Sequence, residues 1–330
     1  MPSVPAVGFF AYLGADRPAA DLLRDTLAQL VAVELVGLDS AWVAQHHFAE
    51  SGGIVTGRLP SPLVFLTALA GRTDRIRLGT AVVVLPAEQA LRLAEDAAVL
   101  QVLSSGRLEL GLGSGTEPAV FAELGVAPED RAELMATHLA VLQSSLAGDQ
   151  LPHGHRIWPP GTGVPLWQGV FSAERAEQAA GQRCHLLLPK LAPGVSAAEQ
   201  AETIERYRSA CPPDFRGRVA LSRLVYPTVG DVAAEMGDEL RFQVGQINRA
   251  RARDGQGPWT LEEYLDAGLG AFGAPAHVVE ALLADPAVRS CDEVLLQFGH
   301  AGPEQAEALR AIALLGSEVA PAIRALGQPG

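Results

Sequence analysis

Short apolar runs alternate along the chain with longer stretches whose apolar positions recur every three or four residues. The first run, Val4–Tyr12, predicts a strand. Ala19–Val36 follows, with Leu22, Leu23, Leu27, Leu30 and Val31 on one helical stripe. Asp39–Ala44 predicts the second strand. Ser61 and Pro62 read as the N-cap and first residue of a helix that reaches about Ala70. Ile76–Leu85 predicts strand three, Gln89–Leu103 a helix, Leu108–Leu112 strand four and Arg131–Leu146 a helix. Residues 165–170, 185–189, 218–227 and 293–299 predict strands five to eight. Helices are expected at Ala173–Gly181, at Ala197–Ser209 and from Pro303 to about Leu326. A long insertion with helical patterning and a Gly/Pro-rich break lies between strands seven and eight.

Eight βα units in 330 residues predict an α/β protein of the (β/α)₈ (TIM) barrel type. A doubly wound sheet shares the same local pattern and is the competing arrangement. No linker, repeat or low-complexity segment interrupts the alternation, so residues 1–330 are expected to form a single domain. In such a barrel the site lies at the C-terminal ends of the strands.

Composition narrows the picture. Hydrophobic residues make up 48% and charged residues 19%, enough apolar material for a large core. The net charge of −13 argues against duplex nucleic acid and anionic membranes as partners, because both select basic surfaces. Cys184, Cys211 and Cys291 are widely spaced and form no CxxC motif, which fits a reducing compartment. The opening "MPSVPAVGFFAYLG" lacks a basic region ahead of its apolar run and does not read as a signal peptide. No apolar run is long enough to span a bilayer. The expected location is the cytoplasm.

The unusual residues fall where strands end. "AWVAQHHFAESGG" (41–53) places His46 and His47 side by side after strand two. Side chains alternate along a strand, so the two are expected to face opposite ways and play different parts. Thr80-Ala81-Val82 lies late in strand three, "GLGSG" follows strand four and "FSAER" follows strand five. Several odd features on one rim point to one concave site. "GLGSGTEPAV" is a poor dinucleotide fingerprint, since Thr116 stands at the sixth position and the motif follows the fourth strand. Its Gly111 and Gly113 instead let backbone approach a flat or anionic ligand. Ser172 reads as the N-cap of a helix that begins at Ala173, and Arg175 lies one turn in. Together they could hold a phosphate, or be a plain cap beside a solvent-facing arginine. His153 and His155 share a face if extended, but no third ligand is placed by spacing, so no metal is expected. Phe9, Phe10, Tyr12 and Phe48 near the rim suit an apolar or aromatic substrate.

These stretches also carry a resemblance. "DSAWVAQHHF", "PSPLVFLTALAGRTDRIRLGTAVVVLP", "LRLAEDAAVLQVLSSGRLELGLGSG", "PLWQG" and "AFGAPAHVVEALL" resemble the bacterial luciferase-like flavin-dependent monooxygenases. The resemblance runs from Val4 to about Leu326 and is specific over 39–115. It implies a barrel that binds reduced FMN and O₂ and oxygenates a small organic substrate through a C4a-hydroperoxyflavin. A separate NAD(P)H:flavin reductase would supply the reduced flavin. The resemblance makes His46 the catalytic histidine, an imidazole of near-neutral pKa facing the flavin, with His47 turned to helix packing or a subunit contact. It puts a cis peptide at Ala81–Val82 beneath the flavin ring. Gly111, Gly113, Ser114, Ser172, Ala173 and Arg175 would be cofactor contacts, with Phe10, Tyr12 and Phe48 in the substrate pocket. Two positions depart from bacterial luciferase: Ser114 stands where it has an arginine, and Phe171 where it has a glutamate. A homodimer through "PSPLVFLTALAG" and "QALRLAEDAAVLQVL" is implied. Two alternatives stay open: an F420-dependent oxidoreductase of the same fold, and a catalytically silent flavin-binding or partner subunit.

Overall fold

Eight parallel strands close on themselves in this computed structural model, which describes residues 5–14, 17–48 and 57–326. They are β1 (Ala6–Ala11), β2 (Ser40–Val43), β3 (Arg77–Thr80), β4 (Leu108–Gly113), β5 (Leu166–Gly169), β6 (His185–Leu188), β7 (Val219–Pro227) and β8 (Glu293–Gln297). Neighbours in sequence are neighbours in space, and β8 pairs with both β7 and β1. The ring is a (β/α)₈ barrel, and the doubly wound alternative falls. The expected start of strand one at Val4 lies outside the described residues.

Helices α1 (Ala19–Leu35), α2 (Pro62–Ala70), α3 (Ala90–Leu103), α4 (Arg131–Ala147), α5 (Ala173–Gly181) and α6 (Ala197–Ala210) cover the outside. The stretch between β7 and β8 holds α7 (Val232–Arg253), helices Leu261–Asp266, Pro275–Ala284 and Pro286–Ser290, and a short strand Ala271–Gly273 paired to β7. No helix among the described residues is long and apolar enough to cross a membrane.

Three local expectations change. Strand three is broken: the Ala81–Val82 peptide is cis, and pairing resumes only at Val83–Val84, against Leu112 and Gly113. Ser61 makes no side-chain cap hydrogen bond, so Pro62 alone marks that helix start. The closing helix is interrupted by a π turn over Leu315–Val319.

Buried apolar residues fall into two groups. The larger joins the outer faces of the strands to the helices. The smaller is Phe10, Trp42, Ala44, Trp167, Leu187, Ala220 and Leu295, all at inward-pointing positions of the strands. Trp42 and Trp167 are both fully buried, with ring centroids 5.4 Å apart in edge-to-face contact. Gly79 makes room for them, since a Cβ there would collide with the Trp42 indole. Beneath the indoles lies an ionic layer. Glu109 accepts from Arg77 Nη1 at 3.1 Å, from both terminal nitrogens of Arg218 at 2.9 and 2.7 Å, and from Trp167 Nε1 at 2.7 Å. Glu293 accepts from Arg77 Nη2 at 2.8 Å and from the Ser40 hydroxyl. Rings and ion pairs fill the N-terminal half of the barrel, so open space remains at the other end.

Candidate active site

That open end holds a cavity of about 440 Å³. Its wall takes residues from every barrel strand end: Phe10 and Tyr12, Ala44 to His47, Ala81 and Val82, Gly113 to Glu117, Gly169 to Phe171, Leu187 to Lys190, Ser222, and Leu295 with Gln297. Most of this surface is aliphatic or aromatic, with a few convergent polar groups, the usual make-up of a small-molecule site.

The histidine pair does not divide as strand alternation predicts. β2 ends at Val43, before either histidine, so alternation no longer governs their directions. Trp42 and Ala44 point inward, and His46 continues that parity. His47 follows in open loop and also lines the cavity. Its Nε2 is buried without a hydrogen-bond partner among the described residues. The expected turn of His47 to helix packing is thereby replaced.

Several contacts position His46. Its backbone N–H donates to the Leu59 carbonyl at 3.0 Å. The Gln45 amide is fully used, donating to Pro60 O at 3.1 Å and Glu88 Oε1 at 2.6 Å and accepting from Val84 N at 2.7 Å. That ties the loop after β2 to the continuation of β3. Gly57 packs on the imidazole, where any Cβ would collide with the ring. Tyr12 lies on another side, with ring centroids 5.8 Å apart. Burial lowers the His46 pKa to about 4; the charge of Glu117 opposes this shift and His47 reinforces it. The expectation of a near-neutral pKa is therefore corrected: desolvation keeps this imidazole uncharged at pH 7. Burial likewise raises the Tyr12 hydroxyl to about 12, with a smaller push from Glu239.

The other expected site residues scatter more. Phe10, Tyr12, Ala81, Val82, Gly113 and Ser114 line the cavity. Gly111 lies deeper in β4, below the wall, against the Thr80 carbonyl. Ser172 and Ala173 line an adjoining cavity of about 290 Å³ that shares Val170, Phe171, Leu188, Pro189 and Val195 with the first. The Ser172 hydroxyl caps α5 by accepting from Arg175 N at 3.3 Å. The Arg175 guanidinium is not on either wall: it is exposed and donates to Gln178 at 2.9 Å, one turn along its own helix. Phe48 is likewise off the wall, 49% exposed, and its backbone is left-handed (φ 59°). Phe9 points outward from β1 and packs edge-to-face on Phe298. His153 and His155 lie in an exposed turn closed by the Leu151 N–H to His155 carbonyl bond at 2.7 Å. No cluster that could hold a metal occurs among the described residues.

Sequence reasoning missed four residues. Arg131, at the start of α4, reaches back to the loop after β4 and donates to Gly115 O at 2.5 Å and Ser114 O at 3.3 Å. Gln297 lines the cavity, is 1% exposed, and donates to Ser222 while its Oε1 finds no partner. Lys190 and Glu117 are the carboxylate or ammonium groups on the wall among the described residues. Glu117 lies within "GLGSGTEPAV" and Gln297 within the predicted eighth strand, but neither was assigned a part; Lys190 follows the predicted sixth strand, and Arg131 opens a predicted helix.

Comparison with known proteins agrees with this arrangement. Residues 7–284 match the family described as Luciferase-like monooxygenase. The uncharacterized protein y4vJ of Sinorhizobium fredii is 28% identical over 95% of both chains. A type II Baeyer-Villiger monooxygenase, the oxygenating constituent of 3,6-diketocamphane monooxygenase from Pseudomonas putida in complex with FMN, superposes with a TM-score of 0.75 at 18% identity, covering 96% of this chain and 98% of its own. An F420-dependent secondary alcohol dehydrogenase superposes with a TM-score of 0.72 at 17% identity, covering 97% and 99%. At those identities the two structures establish the fold. The match over most of the chain and the barrel with its C-terminal cavity lead to one assignment: the chain belongs to the luciferase-like monooxygenase family of enzymes.

Proposed function

We propose that this chain is the oxygenase of a two-component system, which uses reduced FMN and O₂ to oxygenate a small organic substrate. The observation that carries this reading is the mostly apolar cavity at the strands' C-terminal end with a half-buried, uncharged His46 on its wall. Mostly apolar walls that carry a proton-transfer group are what an oxygen-activating site requires, because water would divert the reaction.

The residues present fit a flavin. The edge of an isoalloxazine carries both N–H and C=O groups. Gln297 Oε1 and His47 Nε2 are two buried polar atoms without partners, both belonging to wall residues. Ala81, Val82 and Gly113 offer a flat apolar bed. The start of α5, capped by Ser172, suits the phosphate, and Arg131 brings a cation behind the Ser114–Gly115 loop. When bound, the flavin supplies the two-electron chemistry with O₂. The protein orients it, excludes water, and holds at His46 a neutral imidazole that accepts a proton or donates one hydrogen bond. Tyr12, kept protonated, serves as a donor.

A separate reductase supplies the reduced flavin, as suggested by analogy with the Pseudomonas protein, which is the oxygenating constituent of its monooxygenase. The F420 reading is less favoured, because the anionic tail of that cofactor calls for a basic groove, and Lys190 is the one lysine or arginine on the cavity wall among the described residues. The silent-subunit reading has no use for the Gln45 and Gly57 contacts that fix His46. One domain over 1–330, a cytoplasmic setting and a homodimer through α2 and α3 complete the proposal. The deciding experiment is anaerobic titration with reduced FMN and with reduced F420, followed by mixing with O₂. Tight binding of reduced FMN and fast O₂ consumption support the reading. Binding of F420 alone, or of neither, rejects it.

A further inference from the structure

The oxygenase reading leaves the one lysine or arginine on the cavity wall among the described residues without a part. Lys190 follows β6 and lines the cavity among Phe10, Ala44, Val82, Leu187 and Leu295. It is held from behind by a relay of side chains. Its ammonium donates to Gln243 Oε1 at 2.9 Å. Gln243 lies on α7, is 3% exposed, and donates through Nε2 to Glu239 Oε1 at 2.5 Å. That bond fixes the amide so that its oxygen faces the lysine. Glu239 is fully buried and accepts from the backbone N–H groups of Ala301 at 2.6 Å and Gly302 at 3.3 Å. Two elements beyond the barrel wall thus aim one ammonium at a mostly apolar chamber.

An ammonium has three donors, and Gln243 takes one, the single hydrogen bond Lys190 makes among the described residues. A cation on an apolar wall is costly unless it finds a partner. Burial pushes the Lys190 pKa down, and Glu239 offsets part of that. A bound anion would restore the charged form and take up the remaining donors. The opposite charge on the wall, Glu117, stands two strands away round the barrel, after β4.

We propose that Lys190 is a specificity-determining residue that binds an anionic oxygen on an otherwise apolar substrate skeleton, either a carboxylate or an ionised phenol or enol. This rests on the oxygenase reading for its place in the reaction, though not for the binding itself.

The test uses calorimetric binding to the full-length, flavin-free protein at pH 8. The probes are 2-naphthoate against methyl 2-naphthoate, and 4-nitrophenolate against 4-nitroanisole. The wild-type protein is expected to prefer at least one anion over its neutral partner by tenfold or more, and the pair that shows the preference names the source of the charge. K190M should abolish the preference and leave the affinity for reduced FMN within twofold; K190Q serves if K190M does not fold. No preference in the wild type, or a preference that survives both variants, overturns the proposal. A tenfold loss of reduced-FMN affinity in K190M assigns the lysine to the flavin and also overturns it. If the wild type keeps its anion preference but binds no reduced FMN, the oxygenase reading fails and the anion site stands.

Discussion

The imidazole of His46 and the phenol ring of Tyr12 lie 5.8 Å apart at the end of the barrel, and burial displaces the two pKa values in opposite directions. His46 is lowered to about 4 and Tyr12 raised to about 12, so both stay uncharged across the neutral range. Tyr12 also contacts His300, ring centroids 4.0 Å apart, whose pKa is lowered to about 3 by burial first and by Lys190 and His46 second. His185, below in the barrel, is lowered to about 4 mainly by burial and then by Arg218.

Depressed histidine pKa values make stability depend on pH in a definite direction. The unfolded chain binds protons near pH 6.5, while the folded one resists until about pH 4 or below. The stability these groups contribute is therefore complete above about pH 6.5 and lost as pH falls from there towards 4. Urea unfolding at pH 7.5, 6 and 5 should show a falling midpoint, with net proton uptake on unfolding at pH 5.5. In His46→Gln the slope should flatten by about one proton. An unchanged slope would mean that His46 titrates normally.

Gly57 leaves room for the His46 ring. Gly57→Ala should displace the imidazole without disturbing the core, since the clash is with one side chain. Titration of the ring by NMR should then move from about 4 towards the ordinary histidine value, with a change of only a few degrees in Tm. Substrate oxygenation should fall at least tenfold, about 1.4 kcal/mol in the barrier. A variant with an unaltered titration curve would remove Gly57 from the account.

Glu109 gathers Arg77, Arg218 and Trp167 beneath the cavity. Burial acts to raise its pKa, but the hydrogen bonds and charges of Arg218 and Arg77 win and hold it below the usual carboxylate range. Glu109→Leu takes the carboxylate from Arg218 and leaves Arg77 with Glu293 alone, and should destabilise the protein by about 3–5 kcal/mol in chemical denaturation. A loss under about 1 kcal/mol would show the layer to be solvated.

Val64 on α2 and Val102 and Leu103 on α3 are 72%, 57% and 61% exposed. Single exposed apolar residues are ordinary, but a homodimer through α2 and α3 would cover these three. The double substitution of Val102 and Leu103 by Glu should halve the mass measured by light scattering. A wild type that already runs as a monomer removes the homodimer from the proposal.

Much of the fold was legible because periodicity and turn chemistry agree. Ala173–Gly181 was placed to the residue, and α1 and α3 to within one. The π turn at Leu315 was not legible, because it leaves no mark in hydrophobic spacing; the cis bond after Ala81 leaves none either, and only the family resemblance pointed to it, correctly. The site was legible where strand ends aim side chains inward, as at Tyr12, His46 and Gly113. It was not legible where function depends on distant partners. The sequence places Lys190 just after a strand but does not show its partner Gln243, 53 residues later, nor the loop 16 residues before it that Arg131 reaches. Arg175 misled because its nearest acceptor, Gln178, belongs to its own helix.

The sealed indole floor has a consequence for traffic. Trp42 and Trp167 stop any passage through the barrel axis, so among the described residues the chamber behaves as a blind well. Occupants of such a well queue by depth: the deepest arrives first and departs last. A cofactor that lies on the floor must be seated before a substrate closes over it, and spent cofactor cannot leave until the product above it has gone. On the oxygenase reading, the order of loading would thus be written into a pair of tryptophans off the chamber wall.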